Sequence, residues 1–128
     1  MPRQSYAWIW ILGAVLVLMA KKAYGFAVKP GAVVPLSEEM RYASDVIAGV
    51  WAAQGRTAVL TSGLDGEHKE DSLHYSGLAT DWRTKDLPAL LKQSMVSDVR
   101  AILGRNYDVL LESSGLPSEH MHVEYDPK

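Results

Sequence analysis

Two histidines stand one residue apart, at His120 and His122, and two more lie upstream at His68 and His74, so all four histidines of the chain fall in its second half. On an extended segment alternate side chains share a face, which puts His120, His122 and Glu124 on one side and Met121 and Val123 on the other. Upstream, the run from Asp71 to Arg83 (DSLHYSGLATDWR) places His74 and Asp81 on either side of a short turn and a small-residue segment. A loop imidazole and a strand carboxylate in that arrangement can converge on one point. Two imidazoles and one carboxylate, with a fourth position left for water, make a catalytic type of zinc site, since a structural site fills all four positions with protein ligands. Zinc brings the pKa of a bound water towards neutrality and polarises a carbonyl, and a carboxylate outside the ligand set takes the proton. Glu119, three residues before His122, is the candidate for that role. Glu112 and Glu124 compete with it and read as solvated or supporting carboxylates. Strict alternation points Glu119 away from His122, so its role requires a loop or bulge at the start of the strand.

Singly, each of these residues has a plainer reading. His74 and His68 are ordinary loop histidines, Asp81 is a partner for Arg83, and His120 is a hydrogen-bonding neighbour of a ligand. The joint spacing argues for a site. The pattern Ser72-x-His74-x-x-Gly77-x-Ala79-x-Asp81, followed by Glu119-His120-x-His122, resembles the zinc D-Ala-D-Ala carboxypeptidase and dipeptidase family, which also includes bacteriophage L-alanyl-D-glutamate endolysins and shares the hedgehog-like fold. The resemblance spans roughly Val28 to Lys128. It implies His74, Asp81 and His122 as Zn2+ ligands, Glu119 as general base, and His120 as a catalytic residue that helps stabilise the tetrahedral oxyanion. Ser72 is implied as a substrate-contacting or loop-shaping hydroxyl. One departure matters: many members of the family carry an arginine soon after the strand that here ends at Thr61-Ser62-Gly63, where it binds the substrate carbonyl or terminal carboxylate. The stretch Leu64 to Lys69 holds none, and His68, Lys69 and the more distant Arg56 are the candidates to replace it.

The elements that must position these residues follow from periodicity and punctuation. Val28 to Pro35 is held extended by its prolines and reads as a lead-in strand or loop. Ser37 is an N-cap with Glu38 and Glu39 in the first turn, and Met40, Ala43, Ile47, Val50 and Trp51 recur at helical spacing up to Gly55. Thr57 to Thr61 is β-branched and apolar and reads as a buried strand, and Leu64 to Ser76 reads as loop. Gly77 to Arg83 is a second strand with Trp82 in the core, and Tyr75, in the loop before it, is a candidate to line a cleft. Asp86 caps a second helix with Pro88 in its first turn and an apolar stripe through Leu87, Leu91, Met95, Val99 and Ile102, ending at Gly104. Tyr107 to Leu111 and Met121 to Tyr125 are the last two strands. This order predicts an α+β fold, a small antiparallel sheet with helices packed on one face and the other face free for a site.

A chain of 128 residues, 48% hydrophobic, supports one domain and one core. Without cysteine it has neither disulfides nor a thiolate metal site. A formal charge of -2 without a concentrated basic patch argues against a nucleic-acid partner. At the N-terminus, Arg3 precedes an apolar run over residues 7–20 closed by Lys21 and Lys22, the pattern of an export segment. Residues 1–25 thus read as a signal peptide or an N-terminal membrane anchor, with Trp8 and Trp10 suited to a membrane boundary, and residues 26–128 as the zinc peptidase domain. The expected protein is an exported, monomeric zinc metallopeptidase in the periplasm or another extracytoplasmic space. Its expected partner is a peptidoglycan stem peptide or muropeptide, cut as by a D,D-carboxypeptidase or an L-Ala-D-Glu endopeptidase in wall remodelling or phage lysis. The alternative is a zinc-stabilised module that holds a cell-wall peptide without cutting it.

Overall fold

The computed structural model describes residues 25–128. The export segment expected over residues 1–25 therefore lies, but for Gly25, outside the described residues. Among the described residues no helix is long and apolar enough to cross a membrane.

The chain runs β1 (Ala27–Val28), α1 (Glu38–Ala53), β2 (Val59–Ser62), β3 (Ala79–Arg83), α2 (Ala89–Leu103), β4 (Tyr107–Glu112) and β5 (His120–Tyr125). The strands form one mixed sheet in the order β1-β2-β3-β5-β4. Its three long pairings are antiparallel, and the short β1 lies parallel to β2. The α+β architecture is thus as expected, with one parallel edge that the proline-rich lead-in did not announce.

Ser37 begins α1 as its sequence position predicts, its hydroxyl accepting the N–H of Met40. The same hydroxyl donates to the Gly77 carbonyl at 2.9 Å, tying the helix start to the loop that carries His74. The helix buries Met40, Ala43, Val46, Ile47, Val50 and Trp51, the face predicted from spacing. The second helix departs from expectation at both ends. It begins after Pro88 with no side-chain cap, so Asp86 belongs to the preceding turn, where Leu87 N–H bonds Thr84 C=O. At its far end Leu103 is buried and Ile102 is exposed, because the buried stripe runs Met95, Val96, Val99, Leu103.

Both helices contribute to one core with the inward side chains of the sheet: Leu60, Trp82, Val109, Met121 and Val123. Trp82 is fully buried, with its indole N–H donated to Thr80 Oγ1 and its ring edge-on to Phe26. A side chain of this kind stabilises the fold by about 1.5–3 kcal/mol through burial alone. Because the strand period is two, filling one face with Trp82, Met121 and Val123 forces Asp81, His120, His122 and Glu124 onto the other.

Candidate metal centre

Three strands present the polar face in register. Asp81 of β3 lies opposite His122 of β5, and His122 lies opposite Leu110 of β4; two residues along, on the same face, His120 pairs with Arg83 on one side and Glu112 on the other. A bulge between Leu60 and Ser62 brings Ser62 opposite Asp81 next to the site, a common place for such irregularities.

His74 arrives from a loop. Successive turns over residues 72–78, closed by Tyr75 N–H to Ser72 C=O and Gly77 N–H to His74 C=O, coil the chain back on itself. Gly77 takes the left-handed conformation (φ +71°) that lets the chain leave the coil into β3. Ser72 Oγ accepts the N–H of His74 at 3.2 Å, so this hydroxyl shapes the loop while also lining the cleft. The imidazole is then fixed twice. Its Nδ1–H donates to the Gly63 carbonyl at 2.8 Å, and His68 stacks flat upon it with ring centres 3.9 Å apart. Gly63 can serve here only as glycine, since a Cβ would lie 1.9 Å from the Val33 carbonyl oxygen. The backbone around it is held by Asp65 Oδ1, which accepts from both Gly63 and Val33.

The atoms that could ligate a metal are His74 Nε2, Asp81 Oδ1 and His122 Nδ1. Asp81 Oδ1 stands 3.3 Å from the first nitrogen and 2.8 Å from the second. The three residues present one ligating atom each, all within 4.8 Å of one another, and so form a group able to hold a metal ion. Tetrahedral ligands at about 2.0–2.2 Å from zinc lie roughly 3.3 Å apart, so the cluster has the right size. The tautomers fit as well. His74 spends Nδ1–H on Gly63, and His122 spends Nε2–H on Glu124 at 2.8 Å, which leaves Nε2 of one and Nδ1 of the other aimed at Asp81. Burial pushes the Asp81 carboxyl up, but the hydrogen bond from His122 and the neighbouring imidazoles outweigh it and hold the group well below the usual carboxylate range. Burial likewise pushes His122 down, and its bonds to Asp81 and Glu124 outweigh that, raising it to about 9. In the metal-free protein a proton therefore sits between His122 and Asp81, at the position a cation would take.

The cluster opens into a cleft of about 500 Å³ lined by His68, Lys69, Asp71, Ser72, Leu73, His74, Asp81, Leu110, Glu112, His120, His122 and Glu124. A larger hollow of about 750 Å³ lies between residues 34–36 and the first turns of α1 and contains no histidine. Of the candidates to replace the missing arginine, His68 and Lys69 line the cleft and Arg56 does not. His68 is occupied by its stack and by a contact of Nε2 with the Asp65 carbonyl, which leaves Lys69 as the cation at the rim. Tyr75 does not line the cleft; its hydroxyl bonds both backbone groups of His68 and so holds that ring's chain in place.

His120 stands at the mouth of the cluster, with Nε2 3.1 Å from Glu112 Oε1 and 3.7 Å from Asp81 Oδ1. Glu119 is elsewhere. It precedes β5 without a bulge and so follows the alternation to the core side, where it is 5% exposed. Thr84 Oγ1 donates to its Oε2 at 2.7 Å, and Lys92 Nζ and Gly115 N–H donate to its Oε1 at 2.8 and 3.0 Å. Burial raises this carboxyl, and the hydrogen bond from Lys92 leads the contributions that bring it down to about 2. Both oxygens are committed and neither reaches the cleft, which corrects the expectation that Glu119 stands beside an open metal position. The carboxylate that does face the cluster's open side is Glu112, which sequence spacing alone had set aside. The signal that could have found it is the cross-strand pairing of Glu112 with His120, which only the register reveals.

No protein-family model matches the chain, and no curated protein or solved structure gives a significant match. The likeness to zinc peptidoglycan peptidases therefore stands on its motif residues.

Proposed function

We propose that this chain is a zinc-dependent hydrolase of peptide bonds in peptidoglycan stem peptides, acting outside the cytoplasmic membrane. The observation that carries the reading is the convergence of His74 Nε2, Asp81 Oδ1 and His122 Nδ1, each imidazole held in the ligating tautomer by an acceptor behind it. A zinc ion bound there supplies Lewis acidity, polarising a carbonyl and making a water acidic near neutral pH. The residues around it do the rest. With its oxygens held by Thr84, Lys92 and Gly115, Glu119 fixes the start of β5 and hence the placement of His120 and His122. His120 sits on the open side, beside the place where a developing oxyanion is to be stabilised. Lys69 at the rim suits the carboxylates of a stem peptide, in the place where the family's arginine is missing.

The test is incubation of the purified chain with soluble muropeptides and mass spectrometry of the products, with and without chelator. Loss of a terminal D-alanine marks a carboxypeptidase, and a cut between L-Ala and D-Glu an endopeptidase. His74→Ala and His122→Ala lose both metal and cleavage. Retained zinc in either variant refutes the ligand set.

A second reading, the zinc-stabilised module that binds a wall peptide without cutting it, is favoured by one observation: the commitment of Glu119 leaves no dedicated carboxylate base from the expected position. Zinc-dependent peptide binding without products from any stem peptide would select it.

A further inference from the structure

Two carboxylate oxygens and two imidazole nitrogens meet at the mouth of the cleft, and the proton that His122 Nδ1 shares with Asp81 lies on the side away from His120 and Glu112. His120 Nδ1 contacts the Ser118 carbonyl at 2.9 Å, and donation of Nδ1–H to that oxygen leaves Nε2 bare. That nitrogen faces Glu112 Oε1 at 3.1 Å and Asp81 Oδ1 at 3.7 Å, and Glu112 Oε1 also stands 3.6 Å from His122 Nδ1. Two carboxylates and a bare imidazole nitrogen this close together favour a cation between them. The same device, a backbone or carboxylate acceptor behind each ring, holds His74 and His122 towards Asp81.

We propose that Asp81, Glu112 and His120 form a second metal site that shares Asp81 with the first, so that the cleft takes two divalent cations. The three ligating atoms lie within 4.8 Å of one another, as do those of the first group. They come from adjacent strands in fixed register, Glu112 directly across from His120 and Asp81 two residues along, across from His122. Two cations bridged by a carboxylate and about 3.5–4 Å apart are the recurring geometry of two-metal hydrolytic centres. Charge balance favours the pair. Asp81, Glu112 and Glu124 surround the three imidazoles, and a single dication leaves the cluster net negative, whereas two leave it net positive and suited to an anionic peptide. By contrast, the edge group Asp108, Glu124 and Asp126 already has Lys128 Nζ against Asp108 and Asp126 and needs no ion.

This inference rests on the zinc site of the proposed function and deepens it: His120 then acts on the developing negative charge through an ion it holds with Glu112, not through its own proton. Glu112 has a role that its exposure alone would not suggest.

The metal-free full chain is titrated with zinc by calorimetry, with bound metal counted by elemental analysis, in parallel with Glu112→Ala and His120→Ala. Thermal melts of each variant confirm the fold. Two equivalents are expected for the wild type. Each variant is expected to keep the first and to lose the second, or to bind it more than about 100-fold more weakly, in line with loss of a direct ligand. X-ray absorption of the two-equivalent form should then show a metal–metal vector. One equivalent in the wild type overturns the second site while leaving the first standing, whether or not the variants weaken it. No bound zinc overturns both.

Discussion

Replacing Glu119 by Gln separates a structural role from a chemical one. The substitution keeps the shape of a side chain that is 5% exposed, and removes its charge. Three donors, Thr84 Oγ1, Lys92 Nζ and Gly115 N–H, now meet a carboxylate. Against the amide, Gly115 and Lys92 can keep the one remaining oxygen, and the Thr84 hydroxyl can turn to accept from the new NH2 group. The Thr84 and Gly115 bonds drop from charge-assisted to neutral and the Lys92 bond loses its ion-pair character, a loss of roughly 1 kcal/mol apiece. Lys92, half-buried at 14% exposure, also loses its counter-charge. The sum is about 3 kcal/mol at pH 7. Linkage gives the same size, since a carboxyl held at about 2 instead of its ordinary 4.5 corresponds to roughly 3 kcal/mol. For a domain of this length that lowers Tm by about 10–20 °C. Because the folded pKa is depressed, the stabilisation is complete above the unfolded value near 4.5 and is lost as pH falls through about 2. The gap between wild type and variant should therefore be constant from neutral pH down to about 5 and close in stronger acid. The assay is thermal melting by circular dichroism across that range, with zinc binding and muropeptide cleavage measured well below the variant's Tm. Unchanged Tm together with lost cleavage would refute the reasoning and return Glu119 to the reacting water.

Further outcomes follow from the same geometry. With His122 raised to about 9, the metal-free protein gains stability from the protonated ring that is present in full below about 6.5 and lost as pH rises through about 9. Zinc must displace that proton, so its apparent affinity should rise about tenfold per pH unit from 7 towards 9, with close to one proton released per ion in calorimetry at pH 7; a pH-independent affinity would contradict the His122–Asp81 arrangement. Gly63→Ala drives a Cβ into the Val33 carbonyl and displaces the oxygen that orients His74, so zinc affinity should fall about 10–100-fold, which competition with a chelating dye would detect. If cleavage is found, Lys69→Ala should raise KM for carboxylate-bearing stem peptides with little change in kcat, and an effect confined to kcat would remove Lys69 from substrate binding.

Local chemistry made much of this legible in the sequence. Ser37 and the Met40–Trp51 spacing set α1, because a cap and a 3.6-residue stripe are properties of short segments. The alternation around His122 put two histidines on one face, because the strand period is two. The convergence of His74 and Asp81 with a histidine of the His120/His122 pair was readable because it needs only a turn and two strands, and the choice of His122 came from the motif's resemblance. Asp86 and Ile102 were misplaced because the start and the buried face of α2 depend on how it lies against the rest of the core, not on its own pattern. Only the tertiary structure decided which carboxylate faces the cluster. Glu119 is near His122 in sequence, but the same alternation that aims His120 outward turns Glu119 inward, to Lys92 of α2 and Thr84 beyond β3. Glu112 reaches the cluster through pairing between strands, and His68 reaches it by stacking across a loop. Register and loop closure bring distant residues together, and neither is encoded in the spacing along a single segment.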